Sequence, residues 1–388
     1  MDPGELTTFL LAFAVALLGA KLFGELAERI GQPAVLGELA VGVLLGPSLL
    51  GLVPLTAGIL LVAEIGVLLL LFEVGLETDL EELLRVGAPA LVVAVVGMVL
   101  PFAGGYLATR AAAFPALTAV FVGAALTATS IGITSRVLSE IGMLDTREGR
   151  IILGAAVADD ILGLVVLAVV SQLVATGSVG VGTALRAAGL SFLFLLGALV
   201  IGLPLGRLLV RFVRGARVRG VLASVAVAFA LLAALGAQEA GSAAIVGAFA
   251  AGLVLARTDR RHDLQNALGP TVDVFAPIFF VSIGAQLDVR YLNPFDAANR
   301  PALLLALALV ATGVLGKFAA GFSAWGKVRR SFIGAGMVPR GEVGLIFAQI
   351  GRQNGALPEP AFIAVVLAVF ATTFVTPPLL KALKPAAP

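Results

Sequence analysis

The sequence predicts an all-α polytopic membrane protein of thirteen transmembrane helices. Two inverted six-helix repeats are joined by a linker helix, and each repeat holds one interrupted helix. Three observations predict this. Hydrophobic residues make up 60% of the chain and charged residues 13%, with a mean hydropathy of +1.07, whereas a soluble domain carries about 25% charged residues. Thirteen stretches approach the roughly 20 mainly apolar residues that a bilayer crossing needs. Lysine and arginine alternate between successive connections, as the positive-inside rule requires.

The first span, 6–24, follows an acidic MDPGE start that lacks the basic region of a secretory signal, so it reads as a retained helix. Spans 33–51 and 57–76 carry Glu38, Glu64 and Glu73. Span 87–108 leads to 115–138, whose centre ALTATSIGITS gathers Thr127, Thr129, Ser130 and Thr134 around Gly132. Span 149–173 holds the adjacent Asp159 and Asp160. Span 184–210 stands between two sets of six and reads as the linker. Spans 218–236, 240–257 and 271–288 follow. Span 301–323 contains Lys317, span 331–351 contains MVPRGEVG, and span 360–380 closes the series. The first repeat covers 1–175 and the second 218–384. No sequence identity between the halves is evident, so topology alone carries the repeat.

Nineteen of the 26 Lys and Arg residues fall on the odd-numbered connections and the C-terminus. Five fall on the opposite side, and Lys317 and Arg340 lie within spans. The N-terminus is therefore expected outside and the C-terminus in the cytoplasm. The chain has no cysteine, which removes disulfides, thiolate metal sites and thiol catalysis. Its one histidine, His262, lies in the charged run RTDRRHD and reads as a solvated loop residue. No basic block with interleaved aromatics suggests nucleic acid. The single tryptophan, Trp325, falls at an expected membrane interface.

Charge inside the membrane costs about 2.5–3.5 kcal/mol per residue on insertion scales and marks function by default. Asp160 lies near the midplane, about 16 Å along its helix. Neighbours on a helix point about 100° apart. Asp159 and Asp160 therefore cannot share one role. One can face Lys317, since an isolated buried charge is unfavourable, while the other faces a water-filled path. Such a carboxylate can hold a proton and exchange it for a hard cation such as Na⁺ or Li⁺, which oxygen ligands suit. The chain uses 21 Arg and 5 Lys, yet this base is a lysine, which can release a proton where arginine cannot. Lys317 is a candidate second proton carrier. Pro339 with its glycines, and the Thr/Ser cluster, weaken helices at matching positions of the two halves. Interrupted helices of that kind point to a transport site. Arg340 and Glu342 are read as neutralising each other and the ends of the broken helix. Glu38 and Glu64 are read as lining a funnel or a subunit contact.

These residues resemble a known family. The motifs are LFEVGLETDL (71–80), LTATSIGITSRVL (126–138), IILGAAVADDILGL (151–164), PIFFVSIGAQL (277–287), Gly316–Lys317 and MVPRGEVGLI (337–346). From about residue 31 onward the chain resembles the bacterial sodium/proton antiporters of the monovalent cation:proton antiporter-2 family, and it is most similar to the NapA type. The resemblance implies a homodimer in the bacterial inner membrane, surrounded by lipid, with small monovalent cations as substrates and no cofactor. It implies a core domain from helices 4–6 and 11–13 that moves like an elevator against a dimerisation domain built from the rest, and two crossed, broken helices, the fifth and twelfth. It assigns ion and proton binding to Asp160, pairing with Lys317 to Asp159, and an unwound stretch around Thr129 and Ser130. Both aspartates and the lysine together resemble the electrogenic branch.

A potassium/proton antiporter is the nearest alternative. A cation channel suits a buried lysine less well. An aspartyl intramembrane protease needs carboxylates facing each other from two helices, and a serine one lacks its base because the one histidine reads as a loop residue, so no enzyme is expected.

Overall fold

The computed structural model describes residues 3–78, 87–144, 146–176, 200–209, 220–240 and 244–384, with isolated positions 182, 189, 197, 211 and 218. Among the described residues the secondary structure is helical throughout, without strands. The helices are α1 Pro3–Arg29, α2 Ala34–Leu45, α3 Ala57–Glu77, α4 Ala88–Ala111, α5 Ala116–Ala125, α6 Ile131–Glu140, α7 Arg147–Thr176, α8 Val200–Leu209, α9 Val221–Glu239, α10 Ala244–Ala256, α11 Arg261–Ala285, α12 Arg300–Ala320, α13 Arg330–Gly336, α14 Glu342–Gln353 and α15 Glu359–Leu383.

Eight of these are long and apolar enough to cross a membrane: α1, α3, α4, α7, α9, α11, α12 and α15. The protein is therefore multi-pass. The expected count of thirteen is not established by helix length. The second and ninth spans are helices of 12 and 13 residues, about 18–20 Å long at 1.5 Å per residue. The fifth and twelfth spans are each two helices separated by an interruption, at 126–130 and 337–341. Most of the linker span lies outside the described residues, as do 79–86 and the side chain of Glu342.

One expectation is corrected at α11. This helix begins at Arg261, ten residues before the apolar span, so His262 is exposed in its first turn rather than in a loop. Asp263 favours that helix N-terminus electrostatically, and nothing in RRHDLQ breaks a helix.

The chain divides into two compact units. Unit 1 contains Met1–Leu26, Gly37–Thr78 and Gly180–Leu287; unit 2 contains Ala27–Leu36, Asp79–Val179 and Asp288–Pro388.

Unit 1 is assembled by backbone-to-backbone contact. A Cβ placed on Gly42 of α2 would stand 2.3 Å from Val281 O, and one on Gly284 of α11 would stand 2.1 Å from Leu39 O. The α3–α10 seam repeats this: Gly252 faces Phe72 O at 2.2 Å and Gly75 faces Phe249 O at 2.3 Å. Small residues let membrane helices approach this closely. The two seams are related by the sequence itself. AVLGELAVG at 34–42 aligns residue by residue with AIVGAFAAG at 244–252, and the seam partners Leu39 and Phe249 fall at the same place in each. The two halves therefore share a short matching stretch in the helices that touch through glycine.

Gly252→Ala should lower stability by about 1–3 kcal/mol, because a rigid carbonyl blocks the new methyl group. Gly236→Ala, in α9 with open space around it, should be neutral or stabilising by about 0.5–1 kcal/mol. Thermal unfolding of purified protein in detergent checks both, and equal midpoints for the two variants would refute the seam argument.

Unit 2 packs α4, α7, α12 and α15 around the two broken helices. Its core includes Val93, Ile152, Ala155, Phe332, Ile333 and Leu380.

Candidate ion-binding site

The two helix interruptions of unit 2 touch. The Ser130 backbone N–H donates to Pro339 O at 3.0 Å. A Cβ on Gly341 would stand 2.7 Å from Ser130 Oγ, so only glycine fits where the strands of irregular chain meet. Thr134 Oγ1 donates to Gly336 O at 3.0 Å, and Thr129 Oγ1 to Met337 O at 3.1 Å. These hydroxyls take carbonyls at the end of α13, which have lost their helical donors. The meeting point collects two helix C-termini, from α5 and α13, and two N-termini, from α6 and α14. Partial charges of both signs therefore converge in the interior.

Against this point α7 presents Asp159 and Asp160, 0% and 4% exposed. Lys317 of α12 is also fully buried and its Nζ donates to Asp159 Oδ2. Thr129 Oγ1 lies 2.8 Å from the same oxygen. The second oxygen, Asp159 Oδ1, is buried and receives no hydrogen bond among the described residues. Asp160 lies within electrostatic reach of the Lys317 ammonium. Asp159, Asp160, Lys317, Thr129 and Ser130 are thus brought together. Glu38 and Glu64 belong to unit 1. There Glu38 is buried near Lys21 and Asp273, which pair at 3.6 Å, and Glu64 is exposed on α3.

Arg340 was expected to meet Glu342, whose side chain lies outside the described residues. The structure gives it carbonyl partners. Arg340 is fully buried; Nη1 donates to Ala128 O at 2.8 Å and Nη2 to Gly313 O at 3.4 Å. Ala128 O lies in the first interruption, so no helical N–H competes for it. Gly313 O belongs to the turn of α12 that leads to Lys317. The guanidinium thereby ties both interruptions to the lysine-bearing helix, with donors fixed in a planar fork.

Two contributors, Thr373 and Gly97, escaped the sequence reading, and Gly316 entered it only as part of the Gly316–Lys317 motif. Thr373 Oγ1 of α15 donates to Arg340 O in the second interruption. A signal for it was present: ADDI at 158–161 of α7 and ATTF at 371–374 of α15 occupy matching places in the two halves. Gly97 of α4 lies beside Lys317; a Cβ there would stand 3.5 Å from Nζ, in contact with the ammonium. Gly316 packs on Pro101 of the same helix, 3.0 Å from a Cβ position.

The chain is 42% identical to the high-affinity Na⁺/H⁺ antiporter NhaS3 of Synechocystis sp., covering 98% of this chain and 90% of that one. It is 37% identical to the Na⁺/H⁺-K⁺ antiporter GerN of Bacillus cereus, over 96% of this chain and 95% of the other. Its fold is similar to that of the sodium proton antiporter MjNhaP1 from Methanocaldococcus jannaschii, with a TM-score of 0.76 at 18% identity, covering 98% of this chain and 100% of that one. The structural likeness is thus to an NhaP-type protein rather than strictly to the NapA type. The family model for the transmembrane sodium/hydrogen exchanger matches residues 12–383. The chain belongs to the sodium/hydrogen exchanger family, whose members are membrane transporters and not enzymes.

Proposed function

We propose that this protein exchanges cytoplasmic Na⁺, or Li⁺, for external protons. The observation that carries the reading is the buried Asp159–Lys317 pair, set beside buried Asp160 where two interrupted helices meet. Family membership and the Na⁺/H⁺ antiporters among its relatives support it.

In this reading Asp160 carries either a proton or a cation. The two compete for one negative charge, so each must leave for the other to bind. A dehydrated Na⁺ needs several oxygens. Asp160, Asp159 and Thr129 Oγ1 can supply them, with Ser130 completing the irregular stretch around them. As a cation binds, Asp159 turns from Lys317 toward the ion, and the lysine gives up its proton. Two protons for one cation would make the exchange electrogenic. Arg340 stays charged throughout and holds the interruptions in place.

Unit 2 contains helices 4–6 and 11–13 of the expected series and is assigned the moving core; unit 1 is assigned the dimerisation domain. The partition of contacts and the stiff glycine seams of unit 1 support that assignment. An elevator-like displacement of the core would expose Asp160 to each side in turn. The Lys and Arg distribution supports an external N-terminus and a cytoplasmic C-terminus in a bacterial inner membrane.

A second reading, potassium/proton exchange, is favoured by the Bacillus cereus relative, a Na⁺/H⁺-K⁺ antiporter. One experiment separates the two. Inside-out vesicles from cells lacking their own antiporters are acid-loaded and followed with a pH-sensitive dye on adding NaCl, LiCl or KCl. Dequenching by sodium and lithium is expected. A response to potassium alone would replace the first reading by the second, and silence with all three ions from neutral to alkaline pH would remove both.

A further inference from the structure

One end of unit 2 is a strongly basic surface with a tryptophan at its edge. It is built from three segments: the start of α7, the turn at 324–330, and the last turn of α15. Glu148 Oε1 accepts the Arg329 backbone N–H at 3.0 Å, and Arg329 Nη1 reaches Lys384 O at 3.5 Å. The Arg147 guanidinium lies over Gly326, 2.7 Å from where a Cβ would stand, and Gly326 has φ +97. A side chain there would be strained and would expel the arginine. Beneath, Met143, Phe332 and Leu380 pack with Val328, Leu379 and Leu383. The three segments thus form one continuous face.

That face exposes Arg147, Arg150, Lys327, Arg330, Lys381 and Lys384 beside Arg329. Among the described side chains of the three segments the only acid is Glu148. In unit 1, Arg260 pairs with Asp263 at 2.7 Å and Lys21 with Asp273 at 3.6 Å. Two large apolar side chains, Phe322 and Trp325, are 53% and 45% exposed next to the basic turn. Aromatic groups of this kind settle at the level of lipid headgroups. Lysine and arginine just beyond them meet phosphate, and guanidinium groups bind it with two parallel hydrogen bonds.

We infer that this face binds the headgroups of anionic phospholipids, with Trp325 and Phe322 at the acyl boundary and the basic groups on the phosphates. The inference stands apart from the identity of the transported ion. It places a lipid-binding surface on the same unit that holds Asp159 and Asp160. The plain alternative is a set of solvated positive charges with no lipid preference.

The chain carries its own reporter, since Trp325 is its single tryptophan. Purified protein in neutral detergent is mixed with brominated phosphatidylglycerol, or with brominated phosphatidylcholine of the same acyl chains. Half-quenching of Trp325 emission is expected at an about tenfold lower fraction of the anionic lipid, with the difference shrinking as salt rises. The triple variant Lys327→Gln, Arg330→Gln, Lys384→Gln should lose the preference while eluting as wild type on size exclusion. Replacing Arg207, Arg211 and Arg257 of unit 1 by Gln should leave it intact. Equal quenching by both lipids would leave only solvated charge and overturn the inference. So would quenching by neither lipid, which would mean that something else covers Trp325. A preference that survives in the triple variant, or displacement of the lipid by inorganic phosphate at matched concentration, would overturn it as well.

Discussion

Asp160→Asn is expected to eliminate sodium-driven proton movement in vesicles while the protein still folds and inserts. Asparagine keeps the shape of the side chain but carries neither a negative charge nor an exchangeable carboxyl proton. Asp160 is 4% exposed, so water cannot substitute for the missing charge. A dehydrated cation facing a neutral amide in the interior has no compensation for its lost hydration. The exchange rate should fall at least about 100-fold, or ~2.7 kcal/mol of lost stabilisation. Thr129→Val, which removes one neutral hydroxyl from the same oxygen cluster, should cost much less, about 0.5–1.5 kcal/mol. The vesicle assay measures both. Near-wild-type exchange in Asp160→Asn would transfer the ion site elsewhere in the chain.

Asp159→Ala is expected to be the most destabilising single change in unit 2. It strands a lysine ammonium that is 0% exposed. Removing one partner of a buried pair costs about 3–5 kcal/mol, whereas replacing both by apolar groups is often neutral. The double variant Asp159→Ala, Lys317→Met should therefore recover most of the loss. Thermal unfolding in detergent supplies the cycle. A double variant as unstable as Asp159→Ala alone would show that the pair is not the source of the cost. Transport adds a separate reading. If Lys317 carries the second proton, Lys317→Met should still exchange sodium for protons, but at a rate indifferent to an imposed membrane potential. Undiminished sensitivity to the potential would exclude the lysine as a carrier.

The helix interruptions were legible because their cause is local. Pro339 has no N–H and restricts its neighbour, and it falls inside the interruption at 337–341. The Thr/Ser cluster was likewise readable, because hydroxyls compete for backbone groups. The break lies at 126–130, just before Gly132, which instead sits in the first turn of α6. The partners of Arg340 were not legible. In sequence the nearest opposite charge is Glu342, two residues on. In space the guanidinium donates to carbonyls far away in the chain, at Ala128 and Gly313. Only the fold shows which carbonyls an interruption has freed. The position of His262 was missed for a related reason: a charged run carries no apolar period, although it continues a helix without a break. The glycine seams were invisible because glycine at 42 or 252 looks like any other membrane glycine until its neighbour is known.

Those seams have a consequence for how the sequence can change over time. A crowded contact between two side chains has a remedy, since the larger of the pair can be trimmed. At Gly42, Gly75, Gly252 and Gly284 the opposing atom is a main-chain oxygen at 2.1–2.3 Å from the missing Cβ. Every amino acid has that oxygen, so no substitution across the seam makes room. A search for suppressors of Gly252→Ala restricted to the facing helix α3 should return none. The four positions are closed to drift, one by one and in pairs.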